Sequence, residues 1–209
     1  PTSTAIARKD MRKILDKALQ YGISVMVDET YEEFTDPKSK ISAIPLTNNY
    51  NNLIVLRGIS KFFAAPGLRL GYAVTGNPDL LKYINTRKNP WTINSLAEIA
   101  GCIMFSDKEY IEKTKSLITA EREHLYSLLS TWDSVKVYPS CSNFLLMKIL
   151  KEDITSEMIF DFCIRRGLMI RDCSTFPFLD NSFIRFCVMS PEKNHELIEA
   201  FREILEETK

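Results

Sequence analysis

A short apolar segment over residues 23–27 constrains the fold of this chain more than any other feature. It follows an amphipathic pattern over residues 11–19, in which apolar side chains recur at helical spacing. Two further strand-like segments lie at residues 52–57 and 71–75, and the polar stretch over residues 36–52 predicts a surface loop. Because a helix leads into strands that loops separate, we expect an α/β sheet rather than an all-α or all-β fold.

The second half of the chain predicts a smaller unit of another kind. Helical spacing runs over residues 94–130 with a break at Ser106 and Asp107, and the long charged part beyond the break is typical of a helix that bridges two domains. The pattern then predicts strands at residues 135–138, 144–149 and 183–188 and helices at residues 156–166 and 192–207. We therefore expect one domain over residues 1–107, and a connecting helix with a small α+β domain over residues 108–209.

Composition and charge exclude several classes of function. The 209 residues include 27 Lys and Arg against 27 Asp and Glu, so the chain lacks the basic excess that nucleic acids and anionic membranes attract. No apolar run reaches the roughly 18 residues that cross a bilayer, and residues 1–10 lack the pattern of a signal peptide. The five cysteines have no metal-ligand spacing, which is typical of buried, reduced thiols in a cytoplasmic protein. We expect no nucleic-acid partner, no membrane and no metal.

The segment from Arg57 to Tyr72 carries the side chains best suited to chemistry. Lys61 stands just after a predicted strand beside Ser60, and Arg69 follows across a Pro-Gly turn. Lysine is suited to Schiff-base formation, and the planar guanidinium of arginine binds two phosphate oxygens at once. Pyridoxal phosphate is a ligand that needs both groups. Taken alone, however, the two cations are also consistent with solvated surface residues at the ends of strands.

A carboxylate and a phenol at the end of the first predicted strand strengthen this interpretation. Asp28 ends the apolar run, and Tyr31 lies three residues further on. A carboxylate beside a pyridine nitrogen keeps that nitrogen protonated, so that the ring draws electrons from a substrate, and a phenol can bond to the ring oxygen. The alternative is an Asp28 that caps the next turn, with Tyr31 as a half-buried aromatic side chain.

Together these motifs resemble the aminotransferase class I/II family of pyridoxal-phosphate enzymes, which have fold type I. The resemblance rests on Asp28-x-x-Tyr31, Ser60-Lys61 and residues 67–72. It implies an α/β fold: part of the large domain, with a mixed and mostly parallel sheet, followed by a small α+β domain. Pro1 and Thr2 match the end of the family's Asn-Pro-Thr-Gly turn, with Ser3 in place of Gly, so we expect an N-terminal portion to be missing.

The resemblance implies a role for each residue of these motifs. Lys61 would form the Schiff base with pyridoxal 5'-phosphate, Asp28 would hold the pyridine nitrogen, and Tyr31 would hold the ring oxygen. Ser60 and Arg69 would bind the cofactor phosphate.

Two arginines of the second half are implied as substrate ligands, and one glycine departs from the family pattern. Arg185 matches an arginine that holds the substrate carboxylate, and Arg171 matches one near a substrate phosphate. Arg185 lies in an apolar strand, where a charge needs a partner, so a structural ion pair is the alternative. Arg171 could equally face solvent. Gly58 stands where a Ser or Thr phosphate ligand is common.

Finer similarity over residues 61–69, 90–97 and 170–176 points to the L-threonine-O-3-phosphate decarboxylases of cobalamin biosynthesis, with histidinol-phosphate aminotransferases as near relatives. It implies a cytoplasmic homodimer that decarboxylates a phosphorylated amino acid to 1-aminopropan-2-ol phosphate. The same residues serve transamination, so the motifs leave both reactions open. Two other possibilities are a fragment without activity of its own and a regulatory domain of this fold, against which the neutral charge argues.

Overall fold

Two separate sheets organise the chain, which the computed structural model describes over residues 2–207. Pro1 lies outside this range, and with it the predicted match to a family turn. One unit spans Ala5–Glu112, and the other begins at Lys113 and includes the residues before Ala5. The domain division expected at residue 107 stays a prediction.

The first unit is built on a three-stranded sheet. Its strands are β1 (Val25–Asp28), β2 (Leu53–Gly58) and β3 (Gly71–Thr75). Its helices are α1 (Arg8–Gln20), α2 (Pro78–Arg87), α3 (Ser95–Ser106) and the first part of α4 (Lys108–Leu129). Strand β1 is parallel to β2, and β2 is antiparallel to β3, which gives the mixed α/β arrangement that the sequence predicts.

Helix α1 packs on this sheet through a narrow apolar stripe. Met11 and Leu15 are buried in one cluster with Leu53 of β2. Ile14 and Leu19, which the spacing places on the same face, are 43% and 49% exposed. They lie at the two margins of the stripe, so the spacing predicts the helix correctly but overstates the width of its buried face.

The first strand begins two residues later than the apolar run predicts because helix α1 ends in a C-terminal cap. Gly22 has a φ of +65°, a conformation that glycine adopts without a steric penalty. The Ile23 amide donates a hydrogen bond to the Ala18 carbonyl oxygen at 2.9 Å, which satisfies a carbonyl at the helix end. Ile23 therefore belongs to the cap, and the strand begins at Val25.

The second unit is built on a four-stranded antiparallel sheet. Its strands are β4 (Val135–Val137), β5 (Phe144–Ile149), β6 (Arg171–Asp172) and β7 (Phe183–Cys187), in the spatial order β4-β5-β7-β6. Its helices are the remainder of α4, α5 (Ser156–Ile164) and α6 (Pro191–Arg202), and a π-helical turn over Glu203–Glu207 follows α6. Phe186 of β7 and Phe201 of α6 are buried with ring centroids 5.2 Å apart, which confirms a small α+β unit in the second half.

The cysteines occupy two kinds of position. Cys163 and Cys173 are buried, whereas Cys102, Cys141 and Cys187 are exposed. The prediction of buried thiols is therefore confirmed for two cysteines and wrong for three. Burial raises the pKa of the Cys163 thiol to about 11, because a thiolate is costly away from water.

Within residues 2–207, no helix combines the length and the apolar character that crossing a bilayer requires. The same residues contain no group of three or more His, Cys, Asp or Glu side chains arranged to hold a metal ion.

Candidate active site

Two of the predicted cofactor residues stand at one edge of the sheet in the first unit. Asp28 is the last residue of β1, and its register partner in β2 is Leu56. Strand β2 ends two residues later at Gly58, and Lys61 lies in the turn that follows. Because β1 and β2 run parallel, their C-terminal ends lie side by side, which is where α/β sheets bind ligands. The fold therefore delivers a carboxylate and an amine to the same edge.

The Asp28 carboxylate is exposed and shapes the turn that follows β1. Its Oδ1 accepts a hydrogen bond from the Thr30 amide at 2.9 Å and another from the Thr30 hydroxyl. This is the turn cap that the sequence allows as an alternative role for Asp28. A carboxylate has two oxygens, so capping through Oδ1 leaves Oδ2 able to accept a proton-bearing ligand atom.

Tyr31 and Lys61 come together across this edge. The Lys61 Nζ lies 5.7 Å from the centroid of the Tyr31 ring, within the range of a cation–π contact. Lys61 is exposed and Tyr31 is half-buried. The structure thus brings the predicted amine and the predicted phenol into one place, although they lie in different loops.

An aromatic cluster anchors the turn that carries Lys61. Phe62, the next residue, is 2% exposed, and its ring centroid lies 5.2 Å from that of Phe34 and 6.2 Å from that of Tyr110. The Tyr110 hydroxyl donates a hydrogen bond to the Phe62 carbonyl oxygen at 3.0 Å. Phe34 belongs to the 3-10 helix directly after Tyr31. The cluster therefore ties the Tyr31 turn to the Lys61 turn.

Ser60 and Arg69 lie at the two ends of the same loop. Ser60 is half-buried beside Lys61, and Arg69 is exposed with a left-handed backbone at φ +54°. The Arg69 Nη1 donates a hydrogen bond to the Pro66 carbonyl oxygen at 3.1 Å, which holds the guanidinium over its own turn.

Glycine is required where this loop returns to the sheet. A Cβ built on Gly71 would stand 2.9 Å from the Arg57 carbonyl oxygen, so only glycine allows β3 to approach β2 at this register. A Cβ on Gly58 would stand 3.4 Å from the Leu70 carbonyl oxygen, at the limit of ordinary van der Waals contact. Packing at Gly58 is therefore close but does not exclude a side chain.

A buried ion-pair cluster lies beside this edge, and no local motif predicts it. Arg57 of β2 contacts Glu29 at 2.8 Å, Glu32 at 2.9 Å and Glu33 at 3.3 Å, and its side chain is 14% exposed. Burial alone would lower the pKa of Arg57, but the hydrogen bond to Glu29 and the charges of the three glutamates outweigh it and raise that pKa. The signal in the sequence is an arginine at the end of an apolar run together with acidic residues on both sides of Tyr31.

The two predicted substrate arginines face each other in the second unit. Arg171 of β6 is the register partner of Arg185 of β7. The Arg171 guanidinium lies 5.3 Å from the Phe176 ring centroid, and the Arg185 guanidinium lies 5.9 Å from that centroid and 4.6 Å from the Phe144 centroid. Among the residues that the structure describes, neither arginine forms an ion pair with a carboxylate. The alternative of a structural ion pair for Arg185 is therefore not observed.

The carboxylate nearest in sequence to this pair is already bonded elsewhere. Asp172 accepts hydrogen bonds from the Ser156 hydroxyl at 2.7 Å, the Ser174 amide at 2.9 Å and the Ser174 hydroxyl at 2.8 Å. Partial burial would raise the pKa of Asp172, but these hydrogen bonds together hold it below its usual value. Serine donors therefore stabilise this carboxylate, with a smaller contribution from the charge of Arg171.

The side chains at the sheet edge of the first unit fit pyridoxal 5'-phosphate. Its pyridine nitrogen, ring oxygen and aldehyde need a carboxylate, a phenol and an amine, and Asp28, Tyr31 and Lys61 offer these groups. The Lys61 Nζ lies 5.7 Å from the centroid of the Tyr31 ring, so the amine and the phenol are close to each other. The phosphate would find a hydroxyl at Ser60 and a guanidinium at Arg69.

Comparison with known proteins identifies the family of this chain and, with it, the cofactor. The family model for aminotransferase class I and II matches residues 1–201. A protein of Caldanaerobacter subterraneus subsp. tengcongensis, provisionally named threonine-phosphate decarboxylase, is 40% identical over 99% of this chain and 56% of its own length. Histidinol-phosphate aminotransferase of Methanosphaera stadtmanae is 32% identical over 99% of this chain and 54% of its own length. The chain spans about half the length of these curated relatives.

A solved structure shows the same fold. The histidinol-phosphate aminotransferase of Clostridium acetobutylicum superposes with a TM-score of 0.92 and 31% identity, over 100% of this chain and 62% of that chain. The fold is therefore part of the large domain of a fold-type I transferase with a smaller α+β unit. The chain belongs to the aminotransferase class I and II family, whose cofactor is pyridoxal 5'-phosphate.

Proposed function

We propose that the full-length protein carrying this chain is a pyridoxal-phosphate enzyme that decarboxylates L-threonine O-3-phosphate to 1-aminopropan-2-ol phosphate. The observation that carries this proposal is the facing pair of Arg171 and Arg185, two cations whose described contacts are aromatic faces. L-Threonine O-3-phosphate carries a carboxylate and a phosphate, so one substrate molecule matches both cations. The 40% identity to a provisionally named threonine-phosphate decarboxylase supports the same choice.

The residues of the first unit would hold the cofactor and move a proton. Pyridoxal 5'-phosphate, when bound, supplies an aldehyde that condenses with amines and a ring that takes up the electron pair of a broken bond at Cα. Lys61 would bind the aldehyde and, when free, would be the group that delivers a proton to Cα. Asp28 keeps the proton on the pyridine nitrogen, and Tyr31 donates to the ring oxygen. Ser60 and Arg69 bind the phosphate, with one hydroxyl fewer than is common because Gly58 lacks one.

The residues of the second unit would decide which bond at Cα breaks. Arg185 would bind the substrate carboxylate and Arg171 would bind the substrate phosphate. Together the two contacts would fix the orientation of the amino acid. An orientation that favours loss of the carboxylate would make the protein a decarboxylase, with Lys61 supplying the proton that Cα takes up in place of carbon dioxide. We place this reaction in the cytoplasm and in cobalamin biosynthesis, as the family resemblance implies.

An aminotransferase such as histidinol-phosphate aminotransferase is the second candidate. The structural match to that enzyme of Clostridium acetobutylicum, with a TM-score of 0.92, favours it. In that reaction Lys61 would remove a proton from Cα instead of delivering one after loss of carbon dioxide. Histidinol phosphate has a single anionic group, so the second arginine would then serve a carboxylate of the keto-acid acceptor.

We also infer a homodimer. Helix α3 exposes Leu96, Ile99 and Ile103 by 74%, 60% and 63%, and their spacing places them on one face of the helix. Exposed apolar surface of this kind marks an interaction site. A monomer in sedimentation equilibrium of the full-length protein would contradict a homodimer, and Ile99→Glu should weaken a dimer if α3 lies in the interface.

The decisive experiment uses the full-length protein with pyridoxal 5'-phosphate and L-threonine O-3-phosphate, without a keto acid, and records carbon dioxide. We expect release at catalytic rates from the wild type and none from Lys61→Ala, which should also lose the visible absorption of the bound cofactor. No release from the wild type would contradict the decarboxylase. Amino transfer from histidinol phosphate to 2-oxoglutarate would then establish the second candidate.

A further inference from the structure

One arginine of the first unit binds three carboxylates at the same time. Arg57 donates to Glu29 through both Nε, at 3.1 Å, and Nη2, at 2.8 Å. The same guanidinium reaches Glu32 at 2.9 Å and Glu33 at 3.3 Å, and Nη2 also donates to the Ser42 hydroxyl at 3.0 Å. A single buried arginine therefore gathers carboxylates that would otherwise repel one another.

These carboxylates flank the two residues that we assign to the cofactor ring. Glu29 directly follows Asp28, and Glu32 and Glu33 directly follow Tyr31. Glu29 lies one residue beyond β1, and its amide still donates to the Leu56 carbonyl oxygen of β2 at 2.9 Å, so the alternation of the strand continues through it. Accordingly, Asp28 is exposed while Glu29 is 7% exposed. Fixing the Glu29 side chain on the buried side therefore fixes the direction in which Asp28 points on the other side.

The Glu29 carboxylate also accepts hydrogen bonds from the loop that contains Ser42 and Ala43. Its Oε2 accepts a hydrogen bond from the Ser42 hydroxyl at 2.9 Å, and its Oε1 accepts one from the Ala43 amide. The Ser42 carbonyl oxygen in turn accepts from the Arg8 Nε at 2.8 Å. Glu29 therefore has donors on both oxygens, and its position is set by contacts from a strand and a loop, the loop being bonded in turn to helix α1.

Arg57, the other partner of these glutamates, lies on β2, the strand that leads to Lys61. Arg57 is the penultimate residue of β2, and Lys61 follows that strand after three residues. The bonds from Arg57 to the glutamates thus connect β2, which leads to Lys61, with the segment that carries Asp28 and Tyr31. The contact of 5.7 Å between the Lys61 amine and the Tyr31 ring is what this link would preserve.

We propose that Arg57 is a positioning residue, which sets the distance of Asp28 and Tyr31 from Lys61 through its bonds to Glu29, Glu32 and Glu33. The inference rests on the proposed function, because positioning matters only if these residues meet the cofactor. Local clusters that crowd like charges are expected beside functional sites, where geometry is held at the expense of stability. One carboxylate would neutralise Arg57, whereas contacts to three fix the orientation of its planar guanidinium relative to the segment that carries Asp28 and Tyr31.

The test compares two arginine-to-lysine variants of the full-length holoenzyme. Arg57→Lys keeps the charge but loses the planar fork that reaches several carboxylates at once. Arg166→Lys is the matched control, since Arg166 pairs with Glu203 at 2.7 Å in the second unit. The readouts are the dissociation constant of pyridoxal 5'-phosphate and the pH midpoint of the visible absorption band of the bound cofactor.

We expect Arg57→Lys to weaken cofactor binding roughly tenfold, as disruption of a coupled network typically does. It should also move the midpoint of the visible band by about half a pH unit, because the groups around the ring are displaced. Arg166→Lys should change neither value. In a Tyr31→Phe background, Arg57→Lys should move the midpoint by less than half as much, because one of the groups that it displaces is then absent.

A lower unfolding temperature of Arg57→Lys with both cofactor readouts unchanged would overturn the inference and leave the cluster a purely structural one. If Arg57→Lys does not fold, Glu32→Gln replaces it, because the Glu32 side chain is 22% exposed and the change keeps its shape. The same two outcomes then apply to Glu32→Gln. A wild-type protein without any visible cofactor band would instead overturn the proposed function itself.

Discussion

The two units of this chain treat arginine in opposite ways. In the first unit, the largely buried side chain of Arg57 contacts three carboxylates. In the second unit, Arg171 and Arg185 face each other across adjacent strands, and their described contacts are aromatic rings. Like charges directly opposite on neighbouring strands are unfavourable unless an anion lies between them.

The difference separates a cation whose partners are carboxylates of the protein from two cations that are available to bind an anionic ligand. The guanidinium of Arg57 is satisfied by the protein, so its removal should be felt in stability. The guanidinium groups of Arg171 and Arg185 contact aromatic faces and form no ion pair among the described residues, so their removal should be felt in binding. Stability and substrate binding can be measured independently, which makes the comparison open to experiment.

The largest expected effect is on the stability of the first unit. Arg57→Met in the full-length apoprotein should lower the free energy of unfolding by about 3 kcal/mol, because it leaves three carboxylates without their cation. Urea denaturation measures this change, with Arg166→Met as the control for an exposed ion pair, which should cost less than about 1 kcal/mol. Equal losses from the two variants would show that the Arg57 cluster contributes no more than a surface pair.

The next effect is on catalysis and should involve no loss of stability. Arg185→Gln is expected to lower kcat/KM for L-threonine O-3-phosphate roughly 10- to 100-fold, the range of a lost hydrogen bond to a charged group. Its urea midpoint should be no lower than that of the wild type, since no carboxylate in the described residues loses a partner and one of two facing cations is removed. A variant with normal kcat/KM and a lower urea midpoint would reverse the assignment and make Arg185 a structural residue.

The contrast between these arginines marks the limit of what sequence alone reveals. Strands β1, β2, β5 and β7 are predicted because each is an apolar run of strand length. The Arg57 cluster is not predicted, because its members lie far apart in the chain and only the parallel pairing of β1 with β2 brings them together. The facing of Arg171 and Arg185 likewise depends on β6, which has two residues and no pattern of its own.

Helix α2 escapes prediction for a different reason. Its start signal is present, since the Asn77 side chain accepts hydrogen bonds from the Asp79 and Leu80 amides and Pro78 occupies the first turn. Its apolar residues Leu81 and Tyr83 are 50% and 57% exposed, so no buried stripe supports the pattern. Capping residues therefore predict where a helix begins. The spacing of apolar residues predicts a helix only where one face of that helix is buried against another element.

A smaller effect concerns the carboxylate beside the arginine pair. Since the pKa of Asp172 is lowered on folding, its contribution to stability is present above the usual aspartate pKa and is lost as pH falls through the lowered value. Ser156→Ala removes one hydrogen bond of 2.7 Å and should cost about 1 kcal/mol at neutral pH. The loss should shrink in urea denaturation at acid pH, where Asp172 is protonated in both states. A loss that does not change with pH would mean that Ser156 acts through packing alone.

The smallest effect has the opposite sign. Arg171→Gln removes one of two facing cations, so in the absence of anions it should raise the stability of the apoprotein by up to about 0.5 kcal/mol. Inorganic phosphate should erase this difference, because an anion bound by both arginines stabilises the wild type more than the variant. Urea denaturation measures the difference in free energy of unfolding between variant and wild type, once without phosphate and once with it. Arg166→Gln serves as a control, because Arg166 has no facing cation among the described residues. A variant less stable than the wild type in phosphate-free buffer would show that Arg171, like Arg57, is held by the protein itself, and the contrast between the two units would then rest on Arg185 alone.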